Sequence, residues 1–455
     1  MSRPKPISGY PEFLPAGRIV EQQVLDVLRE TFELHGFGSI ETRAVEPMDV
    51  LARKGEITKE IFTVRRLHAD DDAPGPAGDQ LGLHFDLTVP FARYVLEHGG
   101  HLSFPFRRYQ MQKVWRGERP QEGRYREFLQ ADIDIVGAEN LAAHHDVEIP
   151  LVALEAFERL HTELGLPPVV MHVNNRKLLQ GFYEGLGIED TAGALQRVDK
   201  FDKIGGPAVA DLLTGELGLS DEVAAKCVAI AGICTGDTSF VDQVRALGVE
   251  NPLLDEGLGE LAELVRVAGA AVPGRLVADL KIARGLDYYT GTVYETELVG
   301  HEKMGSVASG GRYDSLASDG KVTYPGVGFS FGVTRILAPL LNRGELTATR
   351  SVPTCVLVAV DSEDTRAAAI ATAGKLRARG IPTEVAPKAD RFGKQIKYAD
   401  RRGIPFVWFG GQTGDGADGP QSAQVKDIRS GEQVDADADS WQPPAADLHP
   451  RVGTA

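Results

Sequence analysis

The sequence predicts a mixed α/β protein: a large α+β domain built on an antiparallel sheet flanked by helices, a helical insertion within it, and a small α/β domain at its C-terminal end. Three observations carry this. Residues 109–136 read as two strand-like arms around a loop holding Pro120 and Gly123, the pattern of a long antiparallel hairpin. Residues 178–270 turn mostly helical, and after position 341 strands and a helix alternate in β-α-β order.

In chain order, apolar positions recur at helical spacing over 20–35 and stop at Gly36, after which 37–45 reads as a strand. Residues 70–79, rich in Asp, Ala, Pro and Gly, read as a surface loop. The helical stretch includes 221–231 and 257–268. A strand from 326 is expected to run into a helix capped by Thr334, with Arg335 in the first turn. Beyond it come a strand at 355–360, a helix at 365–379 and strands at 383–385 and 406–409. Residues 411–419 are expected to form a loop, and 436–455, short of apolar residues, to fray. A chain of 455 residues with 42% hydrophobic content has room for about three domains. The boundaries fall at 1–177 and 271–345 for the two parts of the large domain, 178–270 for the insertion and 352–455 for the last domain.

The net charge of −16 argues against a protein that coats nucleic acid or membranes through its overall field, but leaves room for a local basic site. Cys227, Cys234 and Cys355 form no C-x-x-C pair, so neither a zinc site nor a disulfide framework is expected, and a reducing cytoplasm fits. The N-terminus has no apolar signal region, and no apolar run is long enough to span a bilayer. Neither a membrane nor a DNA partner is expected.

On the returning arm of the hairpin, period 2 puts Arg124, Arg126, Phe128, Gln130, Asp132 and Asp134 on one face and Tyr125, Leu129, Ala131, Ile133 and Ile135 largely on the other. A solvated sheet face would explain this. Residues 107–126, however, carry seven basic against two acidic side chains, which in so acidic a chain favours a polyanion site. Residues 326–333 alternate small with apolar side chains, so that a ligand or another backbone can come close. Phe331 stands where a dinucleotide fingerprint needs glycine, and no phosphate-binding G-x-x-x-x-G-K-[ST] loop or kinase motif occurs. Arg335 near a helix N-terminus has a reason to be there if a phosphate binds.

These stretches resemble the class II aminoacyl-tRNA synthetases, specifically the histidyl-tRNA synthetase family. Arg116-Gly-Glu118 matches the family's motif 2 and the segment from Gly328 to Arg335 its motif 3. Arg284-Gly-Leu-Asp-Tyr-Tyr-Thr-Gly291 and Ala308-Ser-Gly-Gly-Arg-Tyr-Asp314 are similar to its two histidine signatures. Two positions depart from the pattern: Arg43 stands where motif 1 usually has proline, and Thr334 where motif 3 commonly has glutamate.

The resemblance implies that Asp86, Thr88 and Gln130 receive the histidine ammonium group, that Asp134 and Tyr289 address the imidazole, and that Tyr288 closes the pocket. It implies Arg116 on the α-phosphate of ATP, Arg335 on the γ-phosphate, Glu118 and Arg124 at the adenine end, and Arg284 beside the α-phosphate during attack. Mg2+ would accompany ATP; no protein-bound metal and no side-chain nucleophile is implied. Arg119 and Gln121 would meet the tRNA acceptor end, and the domain at 352–455 would bind the anticodon, aided by the basic residues Lys388, Arg391, Lys394, Lys397, Arg401 and Arg402. The partners implied are L-histidine, ATP and tRNA(His), with a homodimer as the assembly. Two rivals stand beside this reading: a non-catalytic paralogue that regulates a phosphoribosyltransferase, and a synthetase of the same class for another amino acid.

Overall fold

The computed structural model describes residues 4–52, 59–67, 80–282, 288–410 and 422–453. The segments 70–79 and 411–419 and the residue Arg284 therefore lie outside the described residues. Packing divides the chain into two compact units, one of Met1–Pro11 and Leu25–Pro339, the other of Glu12–Val24 and Leu340–Ala455.

In the first unit, nine strands form one sheet: β1 (Gly38–Ser39), β2 (Phe106–Trp115), β3 (Glu127–Val136), β4 (Val169–Asn175), β5 (Cys234–Thr235), β6 (Leu276–Asp279), β7 (Thr292–Leu298), β8 (Ala308–Tyr313) and β9 (Gly326–Gly332). Their spatial order is β1-β2-β3-β9-β8-β7-β4-β6-β5. All neighbours run antiparallel except β1 with β2 and β4 with β6. The expected hairpin is β2 and β3, in register from Phe106 opposite Val136 to Trp115 opposite Glu127.

The alternation along β9 explains how the sheet is covered. Phe329 and Phe331 point to one face, where Phe331 packs against Phe32 of helix α1 (Pro15–Leu34) at 5.7 Å between ring centroids. After helix α2 (Thr88–His98), helix α3 (His145–Leu164) brings Phe157 to 4.9 Å from the same ring. Ile133 and Ile135 share this apolar face, so the polar residues between them are turned to the other side. Helix α1 begins five residues before the apolar period, at Pro15, whose fixed φ suits the first helical position.

The strand expected over 37–45 is split. Only Gly38 and Ser39 pair with β2, while Val45–Pro47 joins a three-stranded sheet with Leu81–Leu83 and Thr63–Val64. Between them the Ile40 N–H still bonds the Tyr109 carbonyl, and beyond it side chains join in holding the chain. Gln110 Nε2 donates to Thr42 Oγ1 at 2.9 Å and Gln112 Nε2 to the Thr42 carbonyl at 2.9 Å.

Residues 176–271 begin with helix α4 (Arg176–Gly185) and end with helix α5 (Pro252–Ala271), with four further helices and β5 between them. α4 and α5 pack backbone to backbone. A methyl at Gly257 would stand 2.2 Å from Leu178 N, and one at Gly181 2.2 Å from Leu254 N. Helix α6 (Val333–Asn342) follows β9 directly. No helix among the described residues is long and apolar enough to cross a membrane.

The second unit holds the β-α-β order read from the sequence. Strands β10 (Val356–Val358), β11 (Thr383–Val385), β12 (Phe406–Phe409), β13 (Gln424–Asp427) and β14 (Gln433–Asp435) lie in the order β11-β10-β12-β13-β14, with helices α7 (Arg366–Ala378) and α8 (Phe392–Arg402). The expectation that 436–455 frays is overturned. Trp441 packs edge-on against Phe406 and Trp408 at 5.4 and 5.8 Å, Arg379 Nη1 donates to the Ala438 and Trp441 carbonyls, and Val452–Gly453 pairs with Thr347–Ala348. One tryptophan and a few backbone bonds anchor a stretch whose average composition is polar.

Candidate active site

The polar strip on β3 becomes the floor of a site because the pairing register lines it up with the small residues of β8 and β9. Arg108, Asp134, Gly328 and Gly311 stand in one row across β2, β3, β9 and β8; Gln110, Asp132, Ser330 and Ser309 in the next; Gln112, Gln130 and Gly332 in the third. The glycines are there for room. A methyl at Gly328 would sit 2.0 Å from Asp134 Oδ1, and one at Gly311 2.8 Å from the Tyr289 ring. Along β9 itself the close approach is made by the Asp134 carboxylate at Gly328 and by the Tyr313 ring at Gly326. The strip is not a solvated face, since Gln130, Asp132 and Asp134 are 7%, 2% and 3% exposed.

Two adjoining cavities open on this floor. The inner one is lined by Thr88, Asp132, Asp134, Tyr288, Tyr289, Ser309, Tyr313 and Ser330, among others. Asp134 is fixed at both oxygens: Arg108 lies 2.7 Å from Oδ2, and the Tyr313 hydroxyl donates to Oδ1 at 2.6 Å. The Arg108 guanidinium, fully buried, rests 4.1 Å over the Phe91 ring of α2. Tyr288 and Tyr289 lie against each other at 4.2 Å. Burial pushes the Tyr288 phenol up, and burial followed by the Asp134 charge raises that of Tyr313, so both remain proton donors near neutral pH.

The outer cavity shares Ser309 and Ser330 with the inner one and is lined by Arg116, Glu118, Arg124, Phe128, Gln130 and Arg335. Arg116 donates from Nε to the Phe85 carbonyl at 3.0 Å, and its guanidinium carbon lies 5.0 Å from the Phe128 ring centroid. Arg335 donates to the Met304 carbonyl at 2.7 Å, and burial, then the charge of Arg124, lowers its pKa to about 10. Three side-chain atoms around the two cavities are buried without a hydrogen-bond partner among the described residues: Gln130 Oε1, Asp132 Oδ1 and Arg335 Nε. Buried polar atoms are nearly always satisfied, so these atoms, on residues that line the cavities, are placed to bond a ligand or a water there.

The residues anticipated from the sequence divide between these cavities. Thr88, Asp134, Tyr288 and Tyr289 line the inner one, and Arg116, Glu118, Arg124, Gln130 and Arg335 the outer one. Asp86 is buried just ahead of α2, where its Oδ1 accepts from Val89 N of the first turn at 3.1 Å, and its charge reaches Asp132 and Tyr288. Arg119 and Gln121 are exposed on the loop between β2 and β3, closed by reciprocal backbone bonds between Gln121 and Arg124. The positive charge of 107–126 is narrower than its residue count, because Arg107 pairs with Glu148, Arg108 with Asp134, Lys113 with Glu127 and Arg124 with Glu118. Thr334 is not a helix cap. Helix α6 starts at Val333, straight from the strand, and Thr334 Oγ1 instead accepts from Leu129 N at 2.8 Å. Arg43, at the other departure from the pattern, pairs with Glu46. Sequence reasoning placed Arg108, Ser330 and Tyr313 within larger patterns but gave none of them an individual role; the register and the contacts of Asp134 and Asp132 supply it.

Residues 9–336 match the family model of histidyl-tRNA synthetase and residues 354–441 that of an anticodon binding domain. The chain is 68% identical to a histidine–tRNA ligase of Cutibacterium acnes, covering 99% of both proteins, and 58% identical to one of Micrococcus luteus, covering 100% of both. The crystal structure of a histidyl-tRNA synthetase from Nostoc superposes with a TM-score of 0.83 at 35% identity, over 96% of this chain and 98% of that one. A Bacillus halodurans protein described as an ATP phosphoribosyltransferase regulatory subunit/histidyl-tRNA synthetase aligns at 20% identity with a TM-score of 0.71, a likeness of fold alone. By these matches, and with the described residues of its signatures gathered around one pair of cavities, the chain belongs to the histidyl-tRNA synthetase family.

Proposed function

We propose that the chain joins L-histidine to the 3′ end of tRNA(His) in two ATP-driven steps, with histidine in the inner cavity and ATP in the outer one. The carrying observation is that the two cavities meet at Ser309 and Ser330, with a fixed carboxylate in one and Arg116 and Arg335 in the other. Asp134 and Tyr289 read the imidazole, whose N–H groups an apolar pocket would leave unpaired, and Tyr288 closes the pocket. Asp86, Thr88 and Gln130 serve the ammonium group. In the outer cavity Phe128 offers an aromatic face to the base, Glu118 and Arg124 flank the adenine end, Arg116 holds the α-phosphate and Arg335 the γ-phosphate.

The histidine carboxylate then attacks the α-phosphorus, forming the mixed anhydride and releasing pyrophosphate, with Arg116 and Arg284 stabilising the growing charge. The terminal hydroxyl of the tRNA attacks the acyl carbon, forming the ester and releasing AMP. Mg2+ accompanies ATP in this reading. Arg119 and Gln121 guide the acceptor end, residues 178–270 clamp the acceptor stem, and the domain at 352–455 takes the anticodon. The working form is a cytoplasmic homodimer, as the resemblance implies.

The test is pyrophosphate exchange into ATP with single amino acids. Exchange is expected only with histidine; equal exchange with another amino acid, or none with any, removes the reading. Arg284→Ala is expected to abolish adenylate formation while leaving the melting temperature unchanged.

A further inference from the structure

Asp132 is the one residue of the strip from Phe128 to Asp134 to which the proposed histidine and ATP sites give no task. Its carboxylate is 2% exposed, and Oδ1 has no hydrogen-bond partner among the described residues. The Ser330 hydroxyl bonds the same carboxylate, and Gln130 Nε2 donates to Ser330 Oγ at 2.5 Å. The charged groups that face it are Arg108 from β2, Asp134 from β3 and Asp86 just ahead of α2; the guanidinium is ion-paired to Asp134, so the surroundings add negative charge. Burial, opposed by Arg108 and reinforced by Asp134, raises the Asp132 pKa to about 7.

Position along the strand says what would satisfy it. Same-face residues on a strand lie roughly 6.6 Å apart. If the imidazole sits at Asp134, the next polar group toward the nucleotide is Asp132, about one histidine length away, whereas Gln130 is twice as far and lines the outer cavity.

We propose that Asp132 is a direct carboxylate ligand of the histidine α-ammonium group, and that Gln130 acts on that group through Ser330 as a positioning residue. A pocket lined by Asp132 and Asp134, with the charge of Asp86 reaching Asp132 and with Arg108 already ion-paired to Asp134, selects a cationic ligand, and the ammonium supplies the donors that Oδ1 lacks. The proposal rests on the inner cavity holding histidine.

The experiment compares two inhibitors of exchange: histidinol, which keeps the ammonium group, and 3-(imidazol-4-yl)propan-1-ol, which lacks it. In the wild-type protein histidinol is expected to bind at least 100-fold more tightly. In Asp132→Asn that ratio is expected to fall by 10- to 100-fold with the deaminated compound little changed, while Asp134→Asn weakens both compounds alike. Gln130→Ala should lower the ratio less than Asp132→Asn does. An unchanged ratio in a folded Asp132→Asn protein overturns the proposal. So does failure of that variant to fold, because a carboxylate held for a ligand burdens the empty fold. Absence of histidine-dependent exchange in the wild-type protein overturns the underlying reading instead.

Discussion

Replacing Gly328 by alanine adds one methyl at the place where the sheet floor meets the carboxylate proposed to read imidazole. The new carbon would stand 2.0 Å from Asp134 Oδ1 and 2.8 Å from the Ile133 carbonyl oxygen, both closer than real contacts allow. The carboxylate has no free direction to move, because Arg108 and Tyr313 hold its two oxygens. Rotating it away would leave the fully buried Arg108 unpaired, at a cost of about 3–5 kcal/mol. Displacing β9 by a few tenths of an ångström is cheaper, about 1–3 kcal/mol for an overpacked core, and relieves the Ile133 contact as well. The strand is therefore expected to give, lowering the melting temperature by roughly 2–10 °C. A pocket floor displaced relative to the fixed Asp134 carboxylate should reduce kcat/KM for histidine in the exchange assay by about 10-fold, with a much smaller effect on KM for ATP. Gly259→Ala on α5, where an added methyl meets nothing within 4 Å, is the control and should leave both quantities at or slightly above wild type. A Gly328→Ala protein with wild-type KM for histidine would refute the placement of Asp134 in the amino-acid pocket.

Asp132 makes stability pH-dependent in a stated direction. Its folded pKa of about 7 lies above the ordinary carboxylate value, so between pH 4 and 7 the folded state holds a proton the unfolded chain has lost, and stability falls as pH rises through that window. Asp132→Asn removes this loss, so denaturant titrations should find the variant more stable than wild type at pH 8, by a few kcal/mol at most, and nearly equal at pH 4. Arg335→Ala is expected to raise KM for ATP by about 10- to 100-fold through loss of charge-assisted phosphate contacts, with no change in calorimetric histidine binding. Lys397 and Arg401 are exposed on α8, so changing both to alanine should weaken tRNA charging and flatten its salt dependence by one to two phosphate contacts, while pyrophosphate exchange stays at wild-type rate.

The hairpin, its two faces and the alternation of β9 were legible in the sequence because strand periodicity is a local property, set by which way successive side chains point. The histidine signatures were equally plain, since a backbone that must pass close to a ligand tolerates few substitutions. Burial was not legible. Whether the strip from Gln130 to Asp134 faced water or a pocket depended on α1 and α3 occupying the apolar side, which no stretch of strand specifies. Arg108 looked like part of a basic patch, but the register sets it opposite Asp134, where it neutralises a carboxylate instead of attracting a polyanion. The same limit explains the C-terminal stretch, where Trp441 outweighs a polar composition because Phe406 and Trp408 stand ready to receive it. Sequence alone determined the hairpin, the order of most elements and the family, but not the split of 37–45 nor the packing of 436–453. Tertiary structure decided which charges are buried together and which oxygen of Asp132 is left without a donor, because desolvation depends on neighbours far apart in the chain.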